Sequence, residues 1–348
     1  MSPIVATSSF RFHENGVAQE IHKFGSLVKS PRFLRGARWR IFLIRTSIGH
    51  HQTTTGHGTP HPRHPHALRR LRANTEALLT RSSRTALITG AGSGLGRAVA
   101  LRLAQDGCTV LVTDVKSERA ESVARELQAM GATAQAHALD VRDWEAWRSL
   151  HATVGHVDIL VNNAGVADVG RLVDTDPDQW ARQININLMG VIRGCRTFVP
   201  GMVQSGSGHV INIASLAGLA LAPGMISYNT AKAAVVAFSE SLRLEVALDG
   251  VGVSVCCPAF FRTNLTDSMH SASPAVVERV HKWMDTSGIT ADDVAQACAD
   301  AIAQDRFLVL THPGTWKYWL LKRIWPERYR SQLLARERQR RARRAIRD

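Results

Sequence analysis

A glycine-rich turn between a short apolar stretch and a helical pattern constrains the fold of this chain more than any other feature. The apolar stretch covers residues 85–89, and the turn that follows holds Gly90, Gly92, Gly94 and Gly96. Glycine permits a tight turn and lets backbone N–H groups approach a pyrophosphate at the start of a helix. Because this turn separates a strand pattern from a helix pattern, we expect a dinucleotide to bind here.

Apolar stretches alternate with helical patterns of roughly ten to fifteen residues along the central part of the chain. Such alternation predicts right-handed crossovers and a parallel sheet covered by helices on both faces. The expected fold class is therefore α/β, a Rossmann-like doubly wound parallel sheet of about seven strands. We assign residues 81–315 to this domain, residues 1–80 to an N-terminal extension and residues 316–348 to a C-terminal tail.

The second predicted strand, 109–113, ends in Asp114, about twenty residues after the glycines. A carboxylate at this position accepts hydrogen bonds from both ribose hydroxyls of an adenosine and repels a 2′-phosphate. The sequence therefore favours NAD, and NADP stays possible because Lys116 and Arg97 are close in sequence. Alternatively, Asp114 is an ordinary aspartate at a helix N-terminus or in a loop.

A hydroxyl, a phenol and an amine occur in the segment 215–232. Tyr228 and Lys232 are four residues apart in a helical pattern, so their side chains share one helical face. We expect the ammonium to lower the pKa of Tyr228 toward the range in which general acid/base catalysis works. Ser215 follows an apolar run typical of a buried strand, whose carboxyl end faces the ligand in a parallel sheet. Alternatively, Tyr228 and Lys232 are surface neighbours, a common pairing on helices.

A long helix is predicted from Pro177 toward Phe198, since proline suits the first helical turn. Asn187 is a polar residue within the apolar stripe of this helix. Its amide either bonds a backbone group, as buried polar groups usually do, or holds a water molecule that passes protons to Lys232.

Five motifs, in this order and spacing, resemble the short-chain dehydrogenase/reductase family. They are Thr89-Gly90-x-x-x-Gly94-x-Gly96, Asn162-Asn163-Ala164-Gly165, Asn187, Ser215 and Tyr228-x-x-x-Lys232. The similarity covers about residues 82–312 and implies an NAD(P)-dependent oxidoreductase that forms a homodimer or homotetramer. It also implies that Tyr228 exchanges a proton with the substrate oxygen, which Ser215 polarises, while Lys232 binds the nicotinamide ribose and Asn187 supports a water relay.

The resemblance further assigns residues that contact the cofactor and the substrate. The cofactor set is Gly90, Ser93, Gly94, Leu95, Gly96, Asp114, Asp140, Val141, Asn163, Ala164, Gly165, Tyr228, Lys232, Pro258 and Thr263. The substrate set is Ser215, Leu216, Met225, Tyr228, Phe260 and Phe261, with Leu221 and Leu265 beside it. Most of the substrate set is apolar, which favours a lipophilic secondary alcohol or ketone, unless these side chains are core packing. The family more often has glycine at the position of Ala259, and it places a substrate lid at residues 266–290.

The formal net charge of +14 belongs to the two ends of the chain. Residues 1–80 hold 12 Lys/Arg against 3 Asp/Glu, residues 317–348 hold the same numbers, and the centre is therefore −4. Five cysteines without a C-x-x-C pair argue for a reducing, cytoplasmic compartment and against a zinc site, so we expect no metal. No apolar run approaches the roughly 18 residues of a membrane span.

The two ends predict different things. The stretch 50–66 is rich in histidine and proline, which predicts a disordered leader; alternatively, its histidines are a metal-binding tract. The start of the chain, rich in arginine and poor in acidic residues, also resembles a transit peptide. The stretch 316–326 mixes aromatic and basic residues before an arginine-rich tail. This tail either caps the domain or a partner subunit as a helix, or lies on an anionic membrane surface; nucleic acid is a less favoured partner.

A different class of function is also open at this point. A protein with this fold can serve as an NAD-binding scaffold that regulates partners and catalyses nothing. Filled positions at Asn187, Ser215, Tyr228 and Lys232 favour the enzyme.

Overall fold

The computed structural model of this chain describes residues 84–262, 282 and 284–345. The predicted N-terminal extension, most of the predicted lid, and the positions Thr263 and Leu265 lie outside the described residues.

Seven parallel strands form one sheet. They are β1 Arg84–Thr89, β2 Cys108–Asp114, β3 Ala134–Ala138, β4 Ile159–Asn162, β5 Gly208–Ile213, β6 Val251–Cys256 and β7 Leu308–Val309. Their order across the sheet is β3-β2-β1-β4-β5-β6-β7, which confirms the predicted doubly wound fold. The order reverses between β1 and β4, and in such sheets the crevice at the reversal point binds the ligand.

Helices cover both faces of the sheet. They are α1 Gly94–Gln105, α2 Ser117–Ala129, α3 Trp144–Val154, α4 Pro177–Ile184, α5 Gly190–Ser205, α6 Leu216–Ala220, α7 Ile226–Val246, α8 Ala291–Gln304, α9 Thr315–Ile324 and α10 Pro326–Ala345. Apolar side chains of α1, α2 and α8 pack in one core layer, and those of α3, α5 and α7 pack in the other.

The central strands are buried on both faces, which explains their continuous apolar sequence. Ala86, Leu87 and Ile88 of β1 all have 0% exposure, with Ala86 and Ile88 in one core layer and Leu87 in the other. A strand covered on both sides needs apolar residues at every position, not at alternate positions. The sheet is therefore a rigid platform, and the loops at its carboxyl edge carry the polar groups of the site.

A π-helical turn interrupts the long helix predicted from Pro177. Helix α4 starts at Pro177, with the Asp176 side chain accepting a hydrogen bond from the N–H of Asp178. Residues Asn185–Met189 then form the π-helical turn before α5 begins at Gly190. Such turns insert an extra residue into a helix and occur frequently at functional sites. Here the turn carries Asn187.

The C-terminal helices α9 and α10 pack against α6. The ammonium of Lys322 donates a hydrogen bond to the carbonyl oxygen of Leu219 at 2.7 Å, and the hydroxyl of Tyr329 donates one to the carbonyl oxygen of Ala220. Tyr329 is buried. Across residues 84–262 and 284–345, no helix is both long enough and apolar enough to cross a membrane.

Candidate active site

The turn between β1 and α1 forms an anion-binding cradle. Gly90 has a φ of +62°, a conformation that favours glycine. Ser93, the residue before α1, makes no side-chain hydrogen bond to the start of the helix. The first N–H groups of α1 therefore have no side-chain cap and suit a phosphate. A Cβ on Gly96 would lie 2.3 Å from the carbonyl oxygen of Gly90. Gly96 therefore serves the close packing of the turn and does not line the cavity.

Asp114 at the end of β2 reaches back to this turn. One oxygen of its carboxylate accepts from the N–H of Gly92 at 3.1 Å, and the other accepts from the N–H of Lys116 at 3.0 Å. A Cβ on Gly92 would lie 2.8 Å from the carboxylate. Only glycine at position 92 leaves room for the Asp114 carboxylate. The sequence motif alone did not indicate this role of Gly92.

Cations near Asp114 differ from those expected from the sequence. Arg97 pairs with Glu126 on α2 and does not line the cavity. Lys116 lines it, and so does Arg119, which the sequence analysis did not consider. The cavity wall around Asp114 thus contains one carboxylate and two cations.

Asn163 fastens the end of β4 to the glycine turn at the reversal point of the sheet. Its side-chain amide donates to the carbonyl oxygens of Thr89 at 2.8 Å and Gly90 at 3.2 Å. The hydroxyl of Thr89 in turn accepts from the N–H groups of Asn163 and Ala164 at 2.9 and 3.0 Å. The motifs at 89–96 and 162–165 therefore form one connected unit, with Gly165 also on the cavity wall.

Asp140 and Val141 line the cavity after β3. The carboxylate of Asp140 is paired with Arg142 at 2.6 Å, and the hydrogen bonds from Arg142 lower the pKa of Asp140. Asp140 is thus held ionised on the cavity wall.

Ser215 caps the N-terminus of α6 and points toward the loop after β6. Its hydroxyl oxygen accepts from the N–H of Ala217 at 3.1 Å and donates to the carbonyl oxygen of Pro258 at 3.4 Å. This hydroxyl is also near enough to the phenol of Tyr228 to lower the pKa of that group. The chain brings the serine and the tyrosine together although thirteen residues separate them.

Tyr228 and Lys232 lie on the buried face of α7. They are 7% and 4% exposed, and the Lys232 Nζ atom lies 5.9 Å from the centre of the Tyr228 ring. The ammonium donates to the carbonyl oxygen of Ile213 at 2.7 Å, so its position is fixed by β5.

The prediction that Lys232 lowers the pKa of Tyr228 was wrong for the protein without its cofactor. Burial raises the pKa of Tyr228 to about 12, and the hydrogen bond with Ser215 opposes this shift only in part. Burial likewise lowers the pKa of Lys232 to about 8. Both shifts are toward the neutral form because the surroundings solvate charge poorly, but a lysine with a pKa of about 8 still carries its proton at neutral pH. The tyrosine is therefore a protonated acid until a further positive charge is added to the site.

Asn187 is fully buried, and its amide bonds a backbone group. Its oxygen accepts from the N–H of Val166 at 2.8 Å and its nitrogen donates to the carbonyl oxygen of Val166 at 2.8 Å. Asn187 thereby fixes the loop after β4, and a Cβ on Gly165 would lie 2.9 Å from its oxygen and 3.6 Å from Lys232 Nζ. Its side chain lies behind the cavity wall, not on it.

One cavity of about 660 Å³ joins these groups. Of the predicted cofactor and substrate residues, those on its wall are Gly90, Ser93, Gly94, Leu95, Asp114, Asp140, Val141, Asn163, Ala164, Gly165, Ser215, Leu216, Leu221, Met225, Tyr228, Lys232, Pro258, Phe260 and Phe261. The glycine turn with its open helix N-terminus, the Asp114 carboxylate and the size of the cavity fit an adenine dinucleotide.

The loop after β6 is held by a residue that sequence reasoning missed. His312 Nδ1 accepts from the N–H of Ala259 at 3.2 Å, and its Nε2–H donates to the carbonyl oxygen of Phe260 at 2.9 Å. This contact gives the backbone at Ala259 a partner, where the family more often has glycine. No local pattern around His312 indicated it, because the contact spans more than fifty residues of sequence.

The C-terminal helices contribute a wall of the cavity that was also missed. Its residues, here called the C-terminal wall, are Tyr318, Tyr329, Gln332, Leu333 and Arg336. The spacing of Tyr329, Gln332, Leu333 and Arg336 is that of one helical face, a signal present in the sequence but hidden by the high arginine content.

Comparisons with known proteins agree with this architecture. Residues 84–274 match the sequence profile of the family described as short chain dehydrogenase. The probable oxidoreductase EphD of Mycobacterium tuberculosis strain H37Rv is 33% identical over 257 residues, which cover 70% of this chain and 43% of that protein. The chain thus spans less than half the length of this relative.

Two solved structures are similar over almost their whole length. A short chain dehydrogenase/reductase from Burkholderia phymatum in complex with NAD is 34% identical, with a TM-score of 0.66 over 70% of this chain and 93% of that one. A short-chain dehydrogenase from Sphingobium yanoikuyae in complex with NADPH is 26% identical, with a TM-score of 0.60 over 72% of this chain and 95% of that one. One of these relatives was solved with NAD and the other with NADPH.

Proposed function

This chain belongs to the short-chain dehydrogenase family, and we propose that it is an NAD(P)-dependent oxidoreductase that interconverts a secondary alcohol and a ketone on an apolar substrate. The observation that carries this proposal is the convergence of Ser215, Tyr228 and Lys232 on one cavity, beside a glycine turn suited to a pyrophosphate. When bound there, the nicotinamide supplies or accepts the hydride and, in its oxidised form, adds a positive charge.

Each residue then has a defined task. Tyr228 exchanges a proton with the substrate oxygen, and Ser215 hydrogen-bonds to the same oxygen and to the phenol. Lys232 holds the ribose beside the phenol. Because burial raises the pKa of Tyr228 to about 12, the tyrosine is ready to act as the acid in ketone reduction. As the base in alcohol oxidation it needs positive charge from Lys232 and from the oxidised cofactor.

Asn187 acts on the reaction indirectly, through the loop that it positions. One N–H and one lone pair of its amide bond Val166, and in this proposal the water relay draws on carbonyl groups of its π-helical turn. In this proposal the side chain of Asn187 positions the loop that carries Gly165.

NAD is the preferred cofactor in this proposal. Asp114 supports it, since a carboxylate accepts ribose hydroxyls and repels a 2′-phosphate. Lys116 and Arg119 on the same wall oppose it. The experiment is a fluorescence titration with NADH and NADPH, followed by a panel of lipophilic secondary alcohols with the preferred oxidised cofactor. Tighter binding of NADH together with turnover of an alcohol supports both the NAD preference and the proposed reaction. Tighter binding of NADPH would show that Lys116 and Arg119 outweigh Asp114.

The apolar substrate is supported by the part of the cavity beyond Tyr228. Leu221, Met225, Phe260 and Phe261 form its walls, and such walls favour a lipophilic molecule over a sugar. Within the panel, kcat/KM should rise with chain length among neutral secondary alcohols. A preference for short, polar alcohols would contradict this substrate class.

A homodimer or homotetramer completes the proposal. Helix α7 exposes small residues such as Ala237 together with Leu244, which is 82% exposed. Exposed apolar surface on a long helix suits a helix pair between subunits. Light scattering of the purified protein distinguishes a dimer from a tetramer, and a monomer would contradict the pairing.

A second candidate is an enzyme that works on an anionic membrane surface. Trp316, Ile324 and Trp325 are each 52% exposed on or beside α9, with Lys317 5.9 Å from the Trp316 ring. Exposed aromatic rings with adjacent cations suit the interface of an anionic bilayer. Replacing both tryptophans by alanine should reduce sedimentation with phosphatidylserine vesicles, whereas Leu244→Ala on α7 should not. Equal sedimentation of all three proteins would contradict this candidate.

A further inference from the structure

Helix α10 presents one face to the cavity that contains Tyr228. Tyr329, Gln332, Leu333 and Arg336 line this cavity, and their spacing places them on one side of an α-helix. The hydroxyl of Tyr329 bonds the carbonyl oxygen of Ala220, and Lys322 on α9 bonds that of Leu219. The α10 face and the neighbouring helix α9 are therefore each held at one point against α6, the helix that Ser215 caps.

The side chains that α10 contributes to the cavity change from aromatic to cationic along the helix. Arg336 lies seven residues after Tyr329, which is about 10 Å along the helix axis at about 1.5 Å per residue. Leu333 lies between them, and Leu221 and Met225 belong to the same cavity. The α10 face therefore offers a molecule in this cavity both an apolar side chain and a guanidinium, with Tyr329 and Arg336 about 10 Å apart along the helix.

Arg336 differs from the other basic residues on the cavity wall. Arg142 is paired with Asp140, and Arg182 is paired with the buried carboxylate of Asp168 at 3.3 Å. Lys116 and Arg119 flank Asp114 on the adenosine side.

Like Lys116 and Arg119, Arg336 makes no ion pair with another side chain in the described part of the chain, but it belongs to the C-terminal wall and not to the segment around Asp114. Burial raises the pKa of Tyr329, and the positive charge of Arg336 opposes that shift, which places the guanidinium within electrostatic reach of the phenol.

We propose that Arg336 binds an anionic group at the far end of the substrate, so that the enzyme acts on an apolar secondary alcohol or ketone that ends in a carboxylate or phosphate. This inference rests on the proposed oxidoreductase function. A guanidinium offers two parallel N–H donors that match either anion. Because Arg336 is exposed at its solvent side, the anionic end stays hydrated while the apolar chain enters the cavity.

The test uses two alcohols that share the reacting end. Decan-2-ol ends in a methyl group, whereas 9-hydroxydecanoic acid ends in a carboxylate at the same chain length. Their kcat/KM values are compared for the parent protein, Arg336→Gln and Arg338→Gln, without vesicles or detergent. Arg338→Gln is the matched control, because it removes one positive charge from a side chain of α10 that does not line the cavity.

We expect the parent to prefer the carboxylated alcohol. The ratio of the two kcat/KM values should fall about tenfold in Arg336→Gln, the effect of one charge-assisted hydrogen bond. It should remain at the parent value in Arg338→Gln. An equal fall in both variants would assign the preference to general attraction by the basic helix and would overturn the inference.

A second measurement separates this inference from the proposed function. Decanoate should raise the thermal unfolding midpoint of the parent and of Arg338→Gln more than it raises that of Arg336→Gln, while decanol should act equally on all three. Turnover of the alcohols without this difference would overturn the role of Arg336 alone. A decanoate shift that depends on Arg336, without turnover of either alcohol, would support the anion site and contradict the proposed reaction.

Discussion

The cavity has two walls that the chain builds in different ways. The cofactor edge, defined here as the segments 89–96 and 162–165 with Asp114, consists of strand ends and tight turns joined by short hydrogen bonds. The C-terminal wall consists of one face of α10 together with Tyr318 of α9, and each of these helices is held against α6 by one side chain. Turns at strand ends tolerate few residue types, whereas a helical face accepts many. We therefore expect the cofactor edge to determine the reaction and the C-terminal wall to determine which substrate is used.

The strongest test of this contrast is a pair of lysines that make the same contact. One lies beside Tyr228 and the other supports the C-terminal wall. Lys232 donates to Ile213 and Lys322 donates to Leu219, both to a carbonyl oxygen at 2.7 Å. Lys232→Met should lower kcat roughly 100-fold or more, because it removes the cation beside Tyr228. Lys322→Met should lower kcat far less and act mainly on KM. The measurement is steady-state kinetics with a secondary alcohol, and similar kcat losses in both variants would contradict the contrast.

The next effect concerns the packing of the cofactor edge. Gly96→Ala places a methyl group 2.3 Å from the carbonyl oxygen of Gly90 and 2.5 Å from the Asn163 amide. We expect a loss of about 3 kcal/mol in the free energy of unfolding and weaker NADH binding, since backbone atoms cannot move away easily.

Gly201→Ala in α5 is the matched control, because the nearest atom, on His156, lies at 3.6 Å. This change should stabilise the helix by roughly 0.5–1 kcal/mol. Urea unfolding of both variants checks the pair. Equal stability of Gly96→Ala and the parent would show that the turn is less tightly packed than the contacts indicate.

His312 joins the loop after β6 to the segment that leads into α9, and its effect depends on pH. Only the neutral imidazole accepts from Ala259 and donates to Phe260, and burial lowers the pKa of His312. Below about pH 6.5 the unfolded chain binds this proton more readily than the folded chain does. The stabilisation is therefore present above about pH 6.5 and is lost as the pH falls.

His312→Ala should reduce the free energy of unfolding by about 1–2 kcal/mol at neutral pH, since two hydrogen bonds are lost. The loss should shrink at about pH 5, where the parent also carries a protonated imidazole. Urea unfolding at the two pH values measures both quantities. A loss that stays constant with pH would show that His312 acts through packing and not through its neutral form.

The smallest expected effect concerns the attachment of α10. Tyr329→Phe keeps the ring but removes the hydrogen bond to Ala220, which should cost about 1 kcal/mol. Amide exchange of residues in α10 should accelerate more than exchange in β1, because the helix has few other anchors. Tyr318→Phe on α9 is the control, as the described structure gives its hydroxyl no hydrogen bond. Equal acceleration in both variants would contradict the anchoring role of Tyr329.

The same contrast explains what could be predicted from the sequence. The succession of strands and helices along the chain, the glycine turn, Asp114 and the Tyr228–Lys232 pair follow from local patterns, because period, spacing and turn chemistry act over few residues. The doubly wound sheet followed from the alternation of strands and helices.

Long-range contacts were not visible in the sequence. His312 bonds a loop more than fifty residues earlier, and Tyr329 bonds Ala220 across more than one hundred. The prediction for the pKa of Tyr228 was wrong for a related reason. This pKa depends mainly on burial, which every neighbouring element contributes to, and not on Lys232 alone. The π-helical turn at Asn187 was also missed, because its residues have ordinary helical character.

The most direct test of the central claim is turnover by Tyr228→Phe. Phenylalanine keeps the ring on the buried face of α7 and removes only the hydroxyl that exchanges the proton. NADH formation from a secondary alcohol is measured for the parent and the variant, with NADH affinity measured by fluorescence in the same samples. We predict that turnover falls by roughly 100-fold to 10,000-fold while NADH affinity stays within about twofold of the parent. Retained turnover in Tyr228→Phe would contradict the assignment of Tyr228 as the acid and base of this enzyme.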